Sequence, residues 1–318
     1  MNILITGIHG FVGSNLTKQL KEKHNLYGLD IISPEKDGVK KTFAWNELSQ
    51  IEDIDVIIHL AGKAHDVENK ASIQAYFDIN TGLTQKIFDY FLTSSAKKFI
   101  YFSSVKAVAD YVGTGKLTED AKPAPKGAYG ESKIAAENYI LGKLNGNENN
   151  SISGKEVYIL RPCMIHGPGN KGNLNLLYRV VEKGIPWPLG GFDNRRSFTS
   201  VDNLCCIVNG LVEKKIPSGI YHIADDEALS TNELIQVMCE MLGKKSHIWR
   251  INKRLMKKCA DIGTMLHLPL NSMRLQKLTE NYMVSNDKIK WALGLEKMPV
   301  SAMEGLRRTF NSFKYAHK

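Results

Sequence analysis

Apolar and polar positions alternate between two rhythms over the first half of the chain. Residues 2–6 (NILIT) are a short apolar, β-branched run, as expected of a strand buried on both faces. Over 11–20 the apolar residues Phe11, Val12, Leu16 and Leu20 recur at helical spacing. Residues 25–30 (NLYGLD) predict a second strand, 55–60 (DVIIHL) a third, 98–102 (KFIYF) a fourth and 157–160 (VYIL) another. Helical patterns fill about 73–92 and 129–144, the latter with Ala135, Ala136, Tyr139, Ile140 and Leu144 on or near one face. Strand and helix alternate to about residue 165, which predicts an α/β fold with a parallel, doubly wound sheet and short right-handed crossovers.

The first strand and first helix are joined by Gly7, Gly10 and Gly13, each three residues from the next. On a strand-to-helix turn each has a use: Gly7 allows the sharp turn, Gly10 lets the backbone approach a diphosphate, and Gly13 lets the helix lie close to the strand. The amides of the helix N-terminus then face the anion. A glycine triplet alone is a weak signal, but here Asp30 ends the second strand 23 residues after Gly7. That is near the ~20 residues at which an acid accepts from the adenosine ribose hydroxyls. Its carboxylate would repel a 2′-phosphate, so NAD is favoured over NADP. Ligands of such sheets sit beyond the carboxyl ends of the strands, and Gly7, Asp30, Ala61 and Ser104 all lie at such ends.

Composition narrows the class without naming a ligand. The chain has 318 residues, 43% hydrophobic and 24% charged, typical of a soluble globular protein. Lys and Arg exceed Asp and Glu by 42 − 33 = 9, which favours anionic ligands, phosphates among them. No nucleic-acid partner is expected. The five cysteines are odd in number and contain no CxxC, so neither a disulfide framework nor a metal site is expected, and a reducing cytoplasm fits. The first strand begins at Asn2, which leaves no room for a signal peptide, and no stretch approaches the ~20 apolar residues of a membrane span.

The chemistry is expected in YGESK, residues 129–133. Tyr129 and Lys133 are four apart and share a helix face. A phenol titrates near pH ~10, and a nearby ammonium would lower that value. Such a tyrosine can take a proton from a sugar hydroxyl, or give one to a ketone, as hydride moves. Lys133 can also hydrogen-bond the nicotinamide ribose, and Ser104 can orient the same substrate oxygen. YxxxK alone is common on amphipathic helices; its place after a dinucleotide fingerprint and a strand-end serine gives it weight.

TGIHGFVG, HLAG, Ser103-Ser104, YGESK and LRPCMIHGPG together resemble the extended short-chain dehydrogenase/reductase family, in particular its NAD-dependent nucleotide-sugar epimerases and 4-keto reductases. The resemblance implies a Rossmann-type domain over 1–165 and a smaller C-terminal α/β substrate-binding lobe over 166–318, with a return to the sheet around 195–225. It implies that Gly7, Gly10, Phe11, Val12 and Gly13 bind the dinucleotide backbone and that Asp30 and Ile31 hold the adenosine end. Leu60, Ala61 and Gly62 would line the cofactor cleft, Asn80 would join them from the helix after the third strand, and Pro162 would back the nicotinamide at the close of the last strand. Ser104, Tyr129 and Lys133 would be the catalytic set. A homodimer through the helices that include 129–144 is also implied.

The loop GPGNKGN leads into a helix over about 174–183, whose N-terminal amides, with Asn173, could hold a nucleotide diphosphate. The resemblance adds Arg196 as a diphosphate contact, with Arg195 solvated, and a second cation at Arg274 or Lys277. Residues 230–233 (STNE) predict a capping box. Lys244 to Lys258 hold eight Lys, Arg or His among Ile248, Trp249, Ile251, Leu255 and Met256. Such a segment can lie on an anionic membrane, but packing of its apolar side on the lobe is the favoured reading. The dehydratases' Asp-Glu pair is replaced by Val105-Lys106-Ala107, which disfavours dehydration. Two enzyme readings remain, acting at C4 of a UDP-sugar: an epimerase that retains NAD, and a reductase of a UDP-4-keto-6-deoxy-HexNAc that uses NADH or NADPH. A non-catalytic dinucleotide sensor is a third, which has no need of Tyr129 and Lys133.

Overall fold

The computed structural model describes residues 1–64, 72–146, 154–170, 172–266, 268 and 270–316. Its centre is a seven-stranded sheet of β1 (Asn2–Thr6), β2 (Asn25–Asp30), β3 (Val39–Ala44), β4 (Val56–His59), β5 (Lys98–Phe102), β6 (Glu156–Pro162) and β7 (Gly219–Ile223). The strands are all parallel, in the order β7-β6-β5-β4-β1-β2-β3. The order reverses between β1 and β4, and in a sheet of this kind the crevice for a ligand opens there, past the strand ends. β3 and β7 have no counterpart among the strands predicted from hydrophobic pattern. The last strand is therefore β7, not the one that ends at Pro162. The chain returns to the sheet to supply it.

The helices among the described residues are α1 (Phe11–Leu20), α2 (73–93), α3 (Ala128–Gly146), α4 (Asn173–Glu182), α5 (Val201–Glu213), α6 (Thr231–Leu242), α7 (Lys253–Met265), α8 (Ser272–Thr279), α9 (Asp287–Leu293) and α10 (Ala302–Ala316). Within α2 the stretch Phe77–Gly82 is a π-helical turn. The pleat of the strands sends alternate side chains to two cores. Ile3, Ile5, Ile100 and Tyr158 pack with α1, α5 and α9, whereas Leu4, Phe99, Tyr101 and Ile159 pack with α2 and α3. A third core, around Tyr178, Met238, Leu306 and Phe310, belongs to the C-terminal lobe. Ser230 and Glu233 cap α6 reciprocally, as the sequence predicts.

The first core contains Val201–Val212 residues, Tyr221, Ile223 and Met298 beside β1 and β5. Asp225, just past β7, fixes this return. It is buried and accepts from the Ser200 amide at 3.0 Å and from Asn203 Nδ2 at 2.7 Å. Asn203 in turn donates to the Val300 carbonyl at 2.7 Å.

Candidate active site

The glycine turn is built for close approach. Gly7 has φ +68°, in the left-handed region, and its amide donates to the Leu29 carbonyl at 2.9 Å. A Cβ at Gly7 would stand 3.0 Å from the Ala61 nitrogen, so the turns after β1 and β4 touch. A Cβ at Gly13 would fall 2.5 Å from the Gly7 carbonyl oxygen, which seats α1 directly on the turn. Gly10 is the N-cap of α1 and supplies no side-chain cap, leaving the first amides of the helix open to an anion. Phe11 leans against Gly167 and Gly169 of the lobe loop, and Asn15 donates to the Pro168 carbonyl at 3.2 Å. Val12 packs on the first core.

Asp30 is held at the adjoining strand end. One carboxylate oxygen accepts from the His9 amide at 3.0 Å and the other from the Ile31 amide at 2.8 Å. The Ile31 side chain is 86% exposed at the strand end. Lys36, which sequence reasoning missed, reaches over the turn to the Ile8 carbonyl at 2.7 Å and the Ser14 hydroxyl at 2.8 Å. It follows no motif; only the folded loop brings it there. Open helix amides, a backbone without Cβ atoms and a strand-end acid together fit a dinucleotide.

Beyond β4, the Leu60 and Ala61 amides donate to the Thr6 hydroxyl at 3.1 and 3.0 Å. Gly62 is exposed, and a Cβ there would stand 2.9 Å from Asn80 Oδ1 and 3.2 Å from Lys133 Nζ. Asn80 lies fully buried on the π-helical turn. It accepts from the Lys63 amide at 2.7 Å and donates to the Lys63 carbonyl at 3.1 Å and the Ser132 hydroxyl at 2.9 Å. Its amide is thus engaged within the protein: it clamps the 61–63 turn to α3, where the sequence led us to expect a cofactor contact.

Ser104 follows β5 and caps the short turn Val105–Ala107, accepting from the Lys106 amide at 3.2 Å. Burial pushes the Tyr129 phenol pKa above its usual 10.0, and the Ser104 hydroxyl opposes that shift. The lowering expected from Lys133 is therefore not the shift found. The reason is where the amine points. Lys133 Nζ donates to the Phe102 carbonyl at 2.8 Å and lies 5.1 Å from the centre of the Tyr101 ring. Burial lowers its pKa from 10.5 to about 8, with the Glu137 charge opposing. Glu137, one turn on, is fully buried and accepts from Arg161 Nε at 3.0 Å and from the Ser103 hydroxyl. This Ser103–Glu137–Arg161 cluster ties α3 to the ends of β5 and β6, and no sequence signal pointed to it. Nothing in the 105–107 turn supplies a carboxylate pair: Val105 and Ala107 are buried and Lys106 pairs with Asp110 at 3.2 Å.

The lobe completes the rim. Pro162 is buried at the end of β6. Arg196 donates to the Lys277 carbonyl at 2.9 Å, and burial lowers its pKa while Glu280, Tyr282 and Cys163 oppose that. Cys163 adjoins Pro162, and the Tyr282 hydroxyl reaches the Ala109 carbonyl at 2.6 Å, so Arg196 stands near the strand ends that carry Ser104 and Pro162. Arg195 instead pairs with Glu233 at 3.3 Å on the surface. Arg274 and Lys277 are exposed on α8, and it is the backbone of Lys277 that accepts from Arg196. Gly172 caps α4 without a side chain. The Asn173 side chain and Lys171 lie outside the described residues.

The NAD dependent epimerase/dehydratase family matches residues 3–224. A UDP-glucose 4-epimerase of Vibrio cholerae is 30% identical over 99% of this chain and 96% of its own. An N-acetyl-α-D-glucosaminyl-diphospho-ditrans,octacis-undecaprenol 4-epimerase of Escherichia coli O157:H7 is 25% identical over 77% of this chain and 73% of its own. Among solved structures, the UDP-glucuronic acid 4-epimerase of Bacillus cereus in complex with NAD superposes with a TM-score of 0.74 and 20% identity, covering both chains fully. With its glycine turn, strand-end acid and YxxxK helix set on one sheet edge, this chain belongs to the NAD dependent epimerase/dehydratase family.

Proposed function

We propose that the protein epimerises a UDP-activated hexose or N-acetylhexosamine at C4, with NAD retained between turnovers. The observation that carries this is that Ser104, at the end of β5, acts on the Tyr129 phenol, one helical turn from Lys133, whose amine abuts Gly62 at the cofactor edge. Bound NAD would accept a hydride from the sugar and return it. Gly7, Gly10, Gly13, Asp30 and the first amides of α1 would hold it. Ser104 orients the C4 oxygen, and Tyr129 takes the proton from it and later gives it back, so the proton count closes over the cycle. Lys133 supplies positive charge to the ribose side of the cleft. Arg196, the amides that open α4 with Asn173, and Arg274 would hold the diphosphate. The relatives from V. cholerae, E. coli and B. cereus are all named as 4-epimerases, which supports C4 as the reacting carbon. A homodimer through α2 and α3, acting in the cytoplasm, completes the reading.

The test is direct. Purified protein with UDP-glucose or UDP-N-acetylglucosamine, and no added cofactor, should produce the C4 epimer by proton NMR and release tightly bound NAD on denaturation. Steady oxidation of NADH or NADPH by a 4-keto sugar nucleotide, with no interconversion of UDP-hexoses, would replace epimerisation with reduction.

A further inference from the structure

The basic segment that enters the lobe does not fully pack on it. Met256, Ala260 and Gly263 of α7 are buried, but Leu255, Cys259, Ile262 and Leu266 fall at i, i+4, i+7 and i+11 and all are exposed. Leu255 is 55% exposed, Ile262 54% and Leu266 63%, and Trp249, just before the helix, is 55%. Lys253, Arg254, Lys257 and Lys258 crowd the first two turns, also exposed. Cations at a helix N-terminus oppose the macrodipole, and no acid stands in the first turn, so they weaken the helix they belong to. The helix's acid, Asp261, accepts from the Ser272 hydroxyl of α8 at 2.7 Å. A destabilising positive cluster beside an uncovered apolar stripe needs an external counterpart that is both anionic and apolar.

We propose that α7 and Trp249 dock the protein on an anionic phospholipid surface. The helix has 13 residues, about 20 Å, and lies in the plane of the interface, with its apolar stripe at the acyl boundary and its cations among the phosphates. No described helix is long and apolar enough to cross a membrane. A second copy of the chain is the less suitable occupant, because a two-fold interface here would set like charges against each other. α8 joins α7 through Ser272 and holds Arg196 through the Lys277 carbonyl, so the docked helix is linked to the lobe side of the cleft.

The experiment is sedimentation of the intact protein with vesicles of equimolar phosphatidylglycerol and phosphatidylcholine, against phosphatidylcholine alone. Partition onto the anionic vesicles should be at least about tenfold stronger and should fall as salt is raised. Lys257→Glu with Lys258→Glu changes two exposed side chains and leaves the buried face of α7 untouched, so the variant should fold as the parent does, yet bind at least about tenfold more weakly. Leu255→Asn with Ile262→Asn should also lose binding, with turnover in solution retained. Absence of binding, or binding indifferent to lipid charge, overturns the proposal. So does a fall in the protein's sedimenting mass in the Leu255/Ile262 variant, which would show that a second copy covers the stripe.

Discussion

Burial holds the Tyr129 phenol pKa above its usual 10.0 against the opposing Ser104 hydroxyl. Taking a proton therefore requires charge brought to it by ligands, and removing the phenol leaves no substitute. Tyr129→Phe should lower turnover by about a thousandfold, within the range for general acid–base groups, with bound NAD unchanged by absorbance of the denatured extract. Lys133 carries a pH signature. Its folded pKa of about 8 lies below the unfolded 10.5, so between those values the unfolded chain binds more protons. The stability of the parent relative to Lys133→Met should rise with pH across that window and stay level below it, as read by urea denaturation in stepped buffers. Activity that needs the charged amine should fall as pH passes the lower value. The helix that carries Tyr129 and Lys133 and the strand end that carries Ser104 were legible in the sequence. The aim of the Lys133 amine was not, because it is set by a carbonyl and a ring 31 and 32 residues away in sequence.

Among elements, α3 does two jobs on successive turns: Lys133 faces the cleft and Glu137 anchors the helix beneath it. Glu137→Gln would leave Arg161 buried beside a neutral partner. Breaking such a pair should cost about 3 kcal/mol or more, measurable by thermal or denaturant unfolding. At the other end of the cleft, Gly13→Ala would drive a methyl group to within 2.5 Å of a backbone oxygen that cannot turn aside. The turn must open, so the variant should lose NAD on gel filtration as well as stability. The strands that hydrophobic pattern revealed are β1, β2, β4, β5 and β6. β3 escaped because VKKTFA sits at the sheet edge with only Phe43 buried, and β7 because Gly219 and His222 break the apolar run of GIYHI at the opposite edge. The π-helical turn of α2 inserts a residue without changing composition, so the inward aim of Asn80 was legible only in the fold.

For the whole molecule, the proposed dimer should appear as twice the chain mass in sedimentation equilibrium. The lobe and sheet are not separable pieces: β6 takes β7 as its outer neighbour, and the core beneath it draws on α5 and α9. That arrangement bears on how the protein is made. As the chain leaves the ribosome, β6 waits with an open edge while some sixty further residues are translated, from Pro162 to Ile223. The nascent polypeptide is most exposed to mispairing during that interval, and a chaperone that shields strand edges would act there.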